Sequence, residues 1–249
     1  AQLFRRKSKL VVAFGACAAI GGIMGLGNLH DRRSIFENSY ATRPSLDNPD
    51  GVTPKTSSTV DGHEITLPEF FDTVQTLDQT IEVDYYLPGC PPMPETIKDA
   101  LGAILSGKLP PKGAVLSPGK ALCDGCDRKA SKPECAEVAA YTRPHLVEID
   151  QAKCFLAQGL VCLGPATRSG CGAKCIEVNM PCRGCYGPPN DVEDQGMAAL
   201  TAVSSIFAAK DEKEAETAAA TIADPIGTFY RFSLPSSVLR RRRILEANR

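Results

Sequence analysis

Net charge is almost absent from this 249-residue sequence, because 28 Lys and Arg residues are balanced by 29 Asp and Glu residues. That balance argues against a generally basic nucleic-acid-binding protein. Tryptophan is absent and aromatic residues make up only 6%, whereas 21 Gly and 19 Pro residues predict many loops. The hydrophobic content of 43% excludes wholesale disorder. The chain is long enough for one large domain or two modest ones.

An unbroken run of large apolar residues is also missing. Residues 5–9 are mostly basic and precede an apolar stretch at 10–29, which imitates a twin-arginine signal or a short membrane span. Five glycines and Asn28 interrupt that stretch, and a lipid-spanning helix carries more large apolar side chains. Residues 9–15 instead predict a buried parallel strand that runs into a glycine loop. We therefore expect no membrane span and a cytoplasmic protein.

The first half of the chain has the pattern of an α/β layer. Residues 10–14 and 81–87 are predicted strands, and the loops after them carry Cys17 and Cys90. A helix is predicted at 94–105, after the second of these loops. Strand, loop and helix in this order place both cysteines at the loop edge of a sheet, which is the functional edge in such folds.

The other segments are assigned from composition and turn residues. Residues 31–80 are polar and predict a surface excursion, with a helix start at 66–70 capped by Thr66. Residues 109–119 form a Pro- and Gly-rich linker, and 197–223 predict one Ala-rich helix. The basic run at 240–243 is typical of a solvated tail, with an anionic partner as the alternative.

Cysteine is the abundant reactive residue: there are eleven, and nine of them lie between Cys123 and Cys185. Disulfides, zinc and iron–sulfur clusters are the three possible uses. An odd count in a chain of this size disfavours a disulfide framework. Zinc would need two C-x2-C pairs about 15–20 residues apart, or a histidine pair, and the spacing here offers neither. Cubane clusters take four thiolates each, so nine cysteines provide two sets and one left over. Spacing favours iron–sulfur clusters over zinc.

Three motifs resemble a known family. They are Gly15-Ala16-Cys17-Ala18, Pro88-Gly89-Cys90-Pro91-Pro92, and the stretch 162–188 with Cys171-Gly-Ala-Lys-Cys175 and Pro181-Cys182-Arg183-Gly184-Cys185. Together with 191–196 and 224–235, they resemble the small, iron–sulfur subunit of [NiFe]-hydrogenases. The most similar variant is the F420-non-reducing (methyl-viologen-reducing) type.

The resemblance implies three [4Fe–4S] clusters and a two-domain division at residues 118 and 119. A flavodoxin-like domain at 1–118 would hold the proximal cluster, with its N-terminal strand and C-x2-C loop outside this sequence. A loop-rich iron–sulfur domain at 119–249, with a C-terminal helical segment, would hold the medial and distal clusters. The ligands carried over are Cys17 and Cys90 for the proximal cluster, Cys123, Cys126, Cys154 and Cys162 for the distal cluster, and Cys171, Cys175, Cys182 and Cys185 for the medial cluster. Cys135 is left over and is expected to be structural.

The function implied is electron transfer without catalysis. The chain would pass electrons from H2 oxidation at a large subunit to a small iron–sulfur acceptor subunit and heterodisulfide reductase, in methanogenesis. No acid–base or nucleophile pair is visible in the sequence, so no catalytic residue is assigned. Lys174 and Arg183, beside ligands, would offset cluster charge, with ordinary solvated side chains as the alternative. Two other functions stay open: a complex I-type iron–sulfur subunit, which shares the first-domain cysteine loops, and a zinc-binding structural module.

Overall fold

The computed structural model describes residues 1–134 and 138–240. The first half of the chain is mixed α/β, and the second half is built mainly from loops and short turns. The helices are α1 Gln2–Lys7, α2 Gly15–Ala19, α3 Arg32–Tyr40, α4 Pro94–Leu105, α5 Lys174–Glu177, α6 Gln195–Ser204, α7 Glu212–Ala220 and α8 Pro225–Phe229. The strands are β1 Val12–Phe14, β2 Ser57–Val60, β3 His63–Thr66 and β4 Tyr85–Leu87.

Strands β1 and β4 lie side by side and run parallel, in the register Val12↔Tyr85 to Phe14↔Leu87. Both strands are shorter than predicted. At β4 the cause is a turn, because the backbone N–H of Ile81 donates to the carbonyl of Leu77 instead of to a neighbouring strand. The parallel arrangement itself agrees with the sequence expectation, and the carboxyl ends of the two strands meet at one edge.

A buried carboxylate holds the start of this sheet together. The side chain of Asp84 has no exposed surface and accepts from Arg5 at 2.6 Å and from the backbone N–H of Val11 at 2.8 Å. Lys112 Nζ lies 2.6 Å from its other oxygen. Bonds from Lys112, Arg5 and Val11 hold the pKa of Asp84 well below its usual value of 3.8.

Replacing Asp84 by asparagine is expected to lower the free energy of unfolding at neutral pH by about 1–2 kcal/mol. Because the pKa of Asp84 is depressed in the folded state, its contribution is complete above about pH 4 and is lost as the pH falls further. The difference between wild type and Asp84→Asn should therefore shrink in acid. Urea unfolding from pH 7 to pH 3 measures it, with the exposed Glu82→Gln as control; a difference independent of pH would contradict the assignment.

The polar excursion at 31–80 lies on the surface, as predicted. Every residue from 49 to 72 is exposed, and β2 pairs antiparallel with β3 as a hairpin. The predicted helix start at 66–70 is wrong. Thr66 ends β3 opposite Ser57, and the next backbone N–H, that of Leu67, donates to Thr56, so the pairing continues past the expected cap.

The single helix predicted at 197–223 is also wrong, because the structure contains α6 and α7 with a break between them. In the break, Ile206 accepts from the backbone of Val138 and Ala208 donates to it, each at 3.0 Å. Asp211 then caps α7 by accepting from the backbone N–H of Glu214. The helix predicted at 94–105, by contrast, is α4, and Pro94 occupies its first turn as expected.

The main hydrophobic core lies in the second half of the chain. Its largest fully buried members include Phe155, Leu156, Leu160, Val203 and Leu234. Two cysteines, Cys162 and Cys182, belong to the same core. The cysteine loops are therefore anchored by apolar packing even though little regular secondary structure surrounds them.

Hydrogen bonds connect the two halves. The amide of Gln79 donates to the carbonyl of Pro235 at 2.8 Å, and the backbone N–H of Met93 donates to the Tyr186 hydroxyl at 2.9 Å. Of the predicted basic tail, only Arg240 is among the described residues, and 241–243 lie outside them. No helix in the part of the chain that the structure describes is long and apolar enough to cross a membrane.

Candidate metal centres

Cys17 and Cys90 lie at the edge where the parallel strands end. Cys17 is inside α2, directly after β1, and Cys90 follows β4. The backbone N–H of Ala16 donates to the carbonyl of Gly89 at 2.7 Å, which joins the two segments. Both thiols are exposed. The structure thus brings both proposed proximal ligands to one solvent-facing edge.

Cys123, Cys126, Cys154 and Cys162 form a second group. Burial raises the pKa of Cys123 to about 12, and the charges of the other three thiols raise it further in the same direction. Burial likewise raises the pKa of Cys162 to about 11, with smaller contributions from Cys154 and Cys126. All four proposed distal ligands are therefore near one another, although they come from separate parts of the sequence.

A close approach of the backbone accompanies this second group. A Cβ added to Gly164 would lie 3.1 Å from the Cys123 sulfur and 3.5 Å from the Cys162 sulfur. The backbone N–H of Gly164 also donates to the Cys162 thiol. Glycine thus allows a donor to reach the sulfurs without a side chain filling the space between them.

Cys171, Cys175, Cys182 and Cys185 form the third group. Burial raises the pKa of Cys185 to about 11, and the charges of Cys171 and Cys175 add to this. Burial is also the main cause that raises the pKa of Cys182, followed by the charge of Cys162 and, more weakly, that of Cys185. Cys182 is thus shared geometrically between the second and third groups.

Hydrogen bonds link the three groups in series. The backbone N–H of Cys90 donates to the thiol of Cys185, which joins the exposed edge to the third group. The backbone N–H of Cys182 donates to the sulfur of Cys162 at 3.4 Å, which joins the third group to the second. The ten described cysteines therefore form a continuous series from the sheet edge to the core.

The donor chemistry suits iron–sulfur clusters. Thiolates are soft ligands, and [4Fe–4S] clusters are held by four of them. Among residues 1–134 and 138–240, no three Cys, His, Asp or Glu side chains converge closely enough to hold one ion. A cubane needs no such convergence, because each of its four thiolates binds a different iron atom. The groups of four thiols therefore fit clusters by chemistry and by arrangement.

Two cationic residues were expected beside the ligands, and the structure adds two others. Lys174 forms a 3.0 Å ion pair with Glu177, and Arg183 is exposed, so both resemble ordinary surface side chains. Arg128 and Arg168 were not expected from the sequence, yet they are only 6% and 4% exposed. The short spacing of Arg128 after Cys126 was the available indication.

Arg168 fastens the linker to the third group. Its side chain donates to the carbonyl of Pro188 at 3.0 Å and to those of Ser117 and Pro118 at 3.3 Å. Burial lowers the pKa of this guanidinium. Cys135, the cysteine left over from the three ligand sets, lies outside the described residues.

Comparison with known proteins gives a consistent result. The family model described as "NADH ubiquinone oxidoreductase, 20 Kd subunit" matches residues 1–104. The chain is 42% identical to the iron–sulfur subunit of the F420-non-reducing hydrogenase of Archaeoglobus profundus, over 97% of this chain and 75% of that protein. It is 36% identical to the corresponding F420-non-reducing hydrogenase subunit of Methanothermobacter thermautotrophicus, over 96% and 74%.

Among solved structures, the chain matches one of an NAD+-reducing [NiFe]-hydrogenase in the H2-reduced state. The sequence identity is 30%, and the match covers 44% of this chain and 56% of the other. The TM-score is 0.35.

Proposed function

This chain belongs to the family of iron–sulfur subunits of F420-non-reducing hydrogenases, and from that premise we propose that it is the electron-transfer subunit of a cytoplasmic [NiFe]-hydrogenase. The observation that carries the proposal is the hydrogen-bonded series of three cysteine groups. A series that begins at an exposed edge and continues into the core is the arrangement that stepwise electron transfer requires.

The proposed ligand sets follow the three groups. Cys17 and Cys90 hold a proximal [4Fe–4S] cluster, together with two thiolates from outside this sequence. The second group, Cys123, Cys126, Cys154 and Cys162, holds the distal cluster, and the third, Cys171, Cys175, Cys182 and Cys185, holds the medial one. We also propose the flavodoxin-like domain at 1–118 and the loop-rich iron–sulfur domain at 119–249.

The protein's part in the chemistry is to hold, insulate and tune. When bound, each cluster takes up and releases one electron at a time. The buried thiols of Cys162 and Cys182 exclude water, and N–H donors aimed at the sulfurs stabilise their negative charge. We assign no catalytic residue to this chain, because activation of H2 belongs to the large subunit.

The exposed edge is the proposed contact with that large subunit. Phe14, Ile23 and Met24 are all more than half exposed in the segment that carries Cys17. Apolar side chains exposed beside two free thiols are typical of a surface that a partner covers. The proposed acceptors are a small iron–sulfur subunit and heterodisulfide reductase, in methanogenesis.

A complex I-type subunit is the second candidate, because the family model that matches residues 1–104 has that description. Such a subunit carries one cluster, held by first-half cysteines. The second and third cysteine groups lie wholly after residue 104, and a one-cluster protein has no use for them.

The test is the content of iron, zinc and acid-labile sulfide per chain after purification without oxygen. We expect about eight irons and eight sulfides from the second and third groups, and about twelve with a complete proximal site. About four irons would favour the complex I-type interpretation. Zinc without sulfide would overturn both in favour of a structural zinc module.

A further inference from the structure

Arg128 is a buried cation between the second and third cysteine groups. It follows Cys126 by two residues, and only 6% of its surface is exposed. Arginine is almost never this deeply buried unless its charge is paired. The question is what pairs with it.

One side of the guanidinium faces the loop that carries Cys154. Nη1 donates to the carbonyls of Asp150 at 3.2 Å and Lys153 at 3.3 Å. The guanidinium carbon lies 4.2 Å from the centre of the Phe155 ring, which is a cation–π contact. Arg128 therefore touches both neighbours of Cys154 in the sequence.

The other side faces the segment that carries Cys175. Nη2 donates to Asn179 Oδ1 at 2.9 Å and to the carbonyl of Ile176 at 3.5 Å. The Asn179 amide is itself fixed, because its Nδ2 donates to the carbonyl of Ile149 at 3.1 Å. One guanidinium thus joins a loop of the second group to the helix of the third.

None of these partners carries a negative charge. Carbonyl oxygens, an amide oxygen and an aromatic ring satisfy the N–H donors but leave the charge uncompensated. Within 1–134 and 138–240, Arg128 forms no ion pair with a carboxylate, and the nearby Asp124 and Glu177 pair with Lys129 and Lys174. A buried charge without a counter-charge is costly.

Resting on the proposed function, we infer that Arg128 is the shared counter-charge of the distal and medial clusters and raises the reduction potential of both. A thiolate-bound cluster is anionic and gains a further negative charge on reduction. A fixed positive charge in a poorly solvated site therefore stabilises the reduced form more than the oxidised form. Arg128 acts through the ligand loops and is a positioning and tuning residue.

The test compares Arg128→Met with Arg128→Lys in the anaerobically purified hydrogenase complex. Both substitutions remove the guanidinium bonds, but only lysine keeps the charge. The readout is the midpoint potential of each cluster, followed by electron paramagnetic resonance during a redox titration with dithionite. We expect Arg128→Met to shift both potentials to more negative values and Arg128→Lys to restore most of the shift.

The control is Arg143→Met, which removes one charge from an exposed arginine and should leave both potentials unchanged. Unchanged potentials in Arg128→Met, with loss of stability alone, would mean that Arg128 is only a structural brace. An equal shift in the methionine and lysine variants would attribute the effect to bonds instead of charge and overturn the inference. Iron and sulfide contents separate these outcomes from failure of the proposed function, because clusters absent from the wild type would contradict the function itself.

Discussion

Cys182→Ser is expected to remove about four irons and four sulfides per chain, leaving the distal cluster in place. Cys182 is 6% exposed, and its thiol accepts from the backbone N–H of Gly184 and the hydroxyl of Thr167. Serine cannot provide the soft thiolate that the iron needs, and no other cysteine of the third group is free to replace it. The measurement is iron and sulfide per folded chain, together with the potential and signal of the remaining cluster.

The matched control is Cys135→Ser, the substitution of the one cysteine that the family motif leaves without a ligand role. It should leave iron and sulfide unchanged. Retention of all iron in Cys182→Ser would contradict the medial assignment. Loss of all iron from a folded chain would contradict the separation of the second and third groups into two clusters.

Local patterns were enough to predict several elements. Pro94 after the Cys90 turn predicted the start of α4, because proline suits the first helical turn. The apolar run ending at Phe14 predicted a parallel strand, and it pairs with the second predicted strand, the one ending at Leu87. The grouping of cysteines followed from the family motif, and the structure brings each set of four close together.

Elements set by distant contacts were not predictable. The break between α6 and α7 depends on Val138, which pairs with 206–208 across some seventy residues of sequence. Thr66 resembles a helix cap locally, yet pairing with Ser57 keeps it in a strand. Arg128 has no recognisable partner in the sequence, because the groups it contacts are mostly backbone carbonyls that every residue possesses.

Gly21→Ala is expected to lower the free energy of unfolding by about 3 kcal/mol or more. A Cβ at this position would lie within 2.7 Å of three ring carbons of Pro235, a rigid and fully buried side chain. The backbone at Gly21 also has a φ of +103°, which side chains rarely adopt. Because Gly21 follows α2 and Pro235 lies near the end of the described chain, the clash would separate the Cys17 segment from the second half.

Gly113→Ala separates backbone strain from the clash. Gly113 has a comparable φ of +87°, but no atom lies within 4 Å of its added Cβ. Its expected cost is therefore the conformational one alone, about 1 kcal/mol. Chemical unfolding of both variants measures the difference, and equal costs would contradict the contact between the halves. A larger cost for Gly21→Ala would tie the stability of the proposed proximal edge to its packing against the second half.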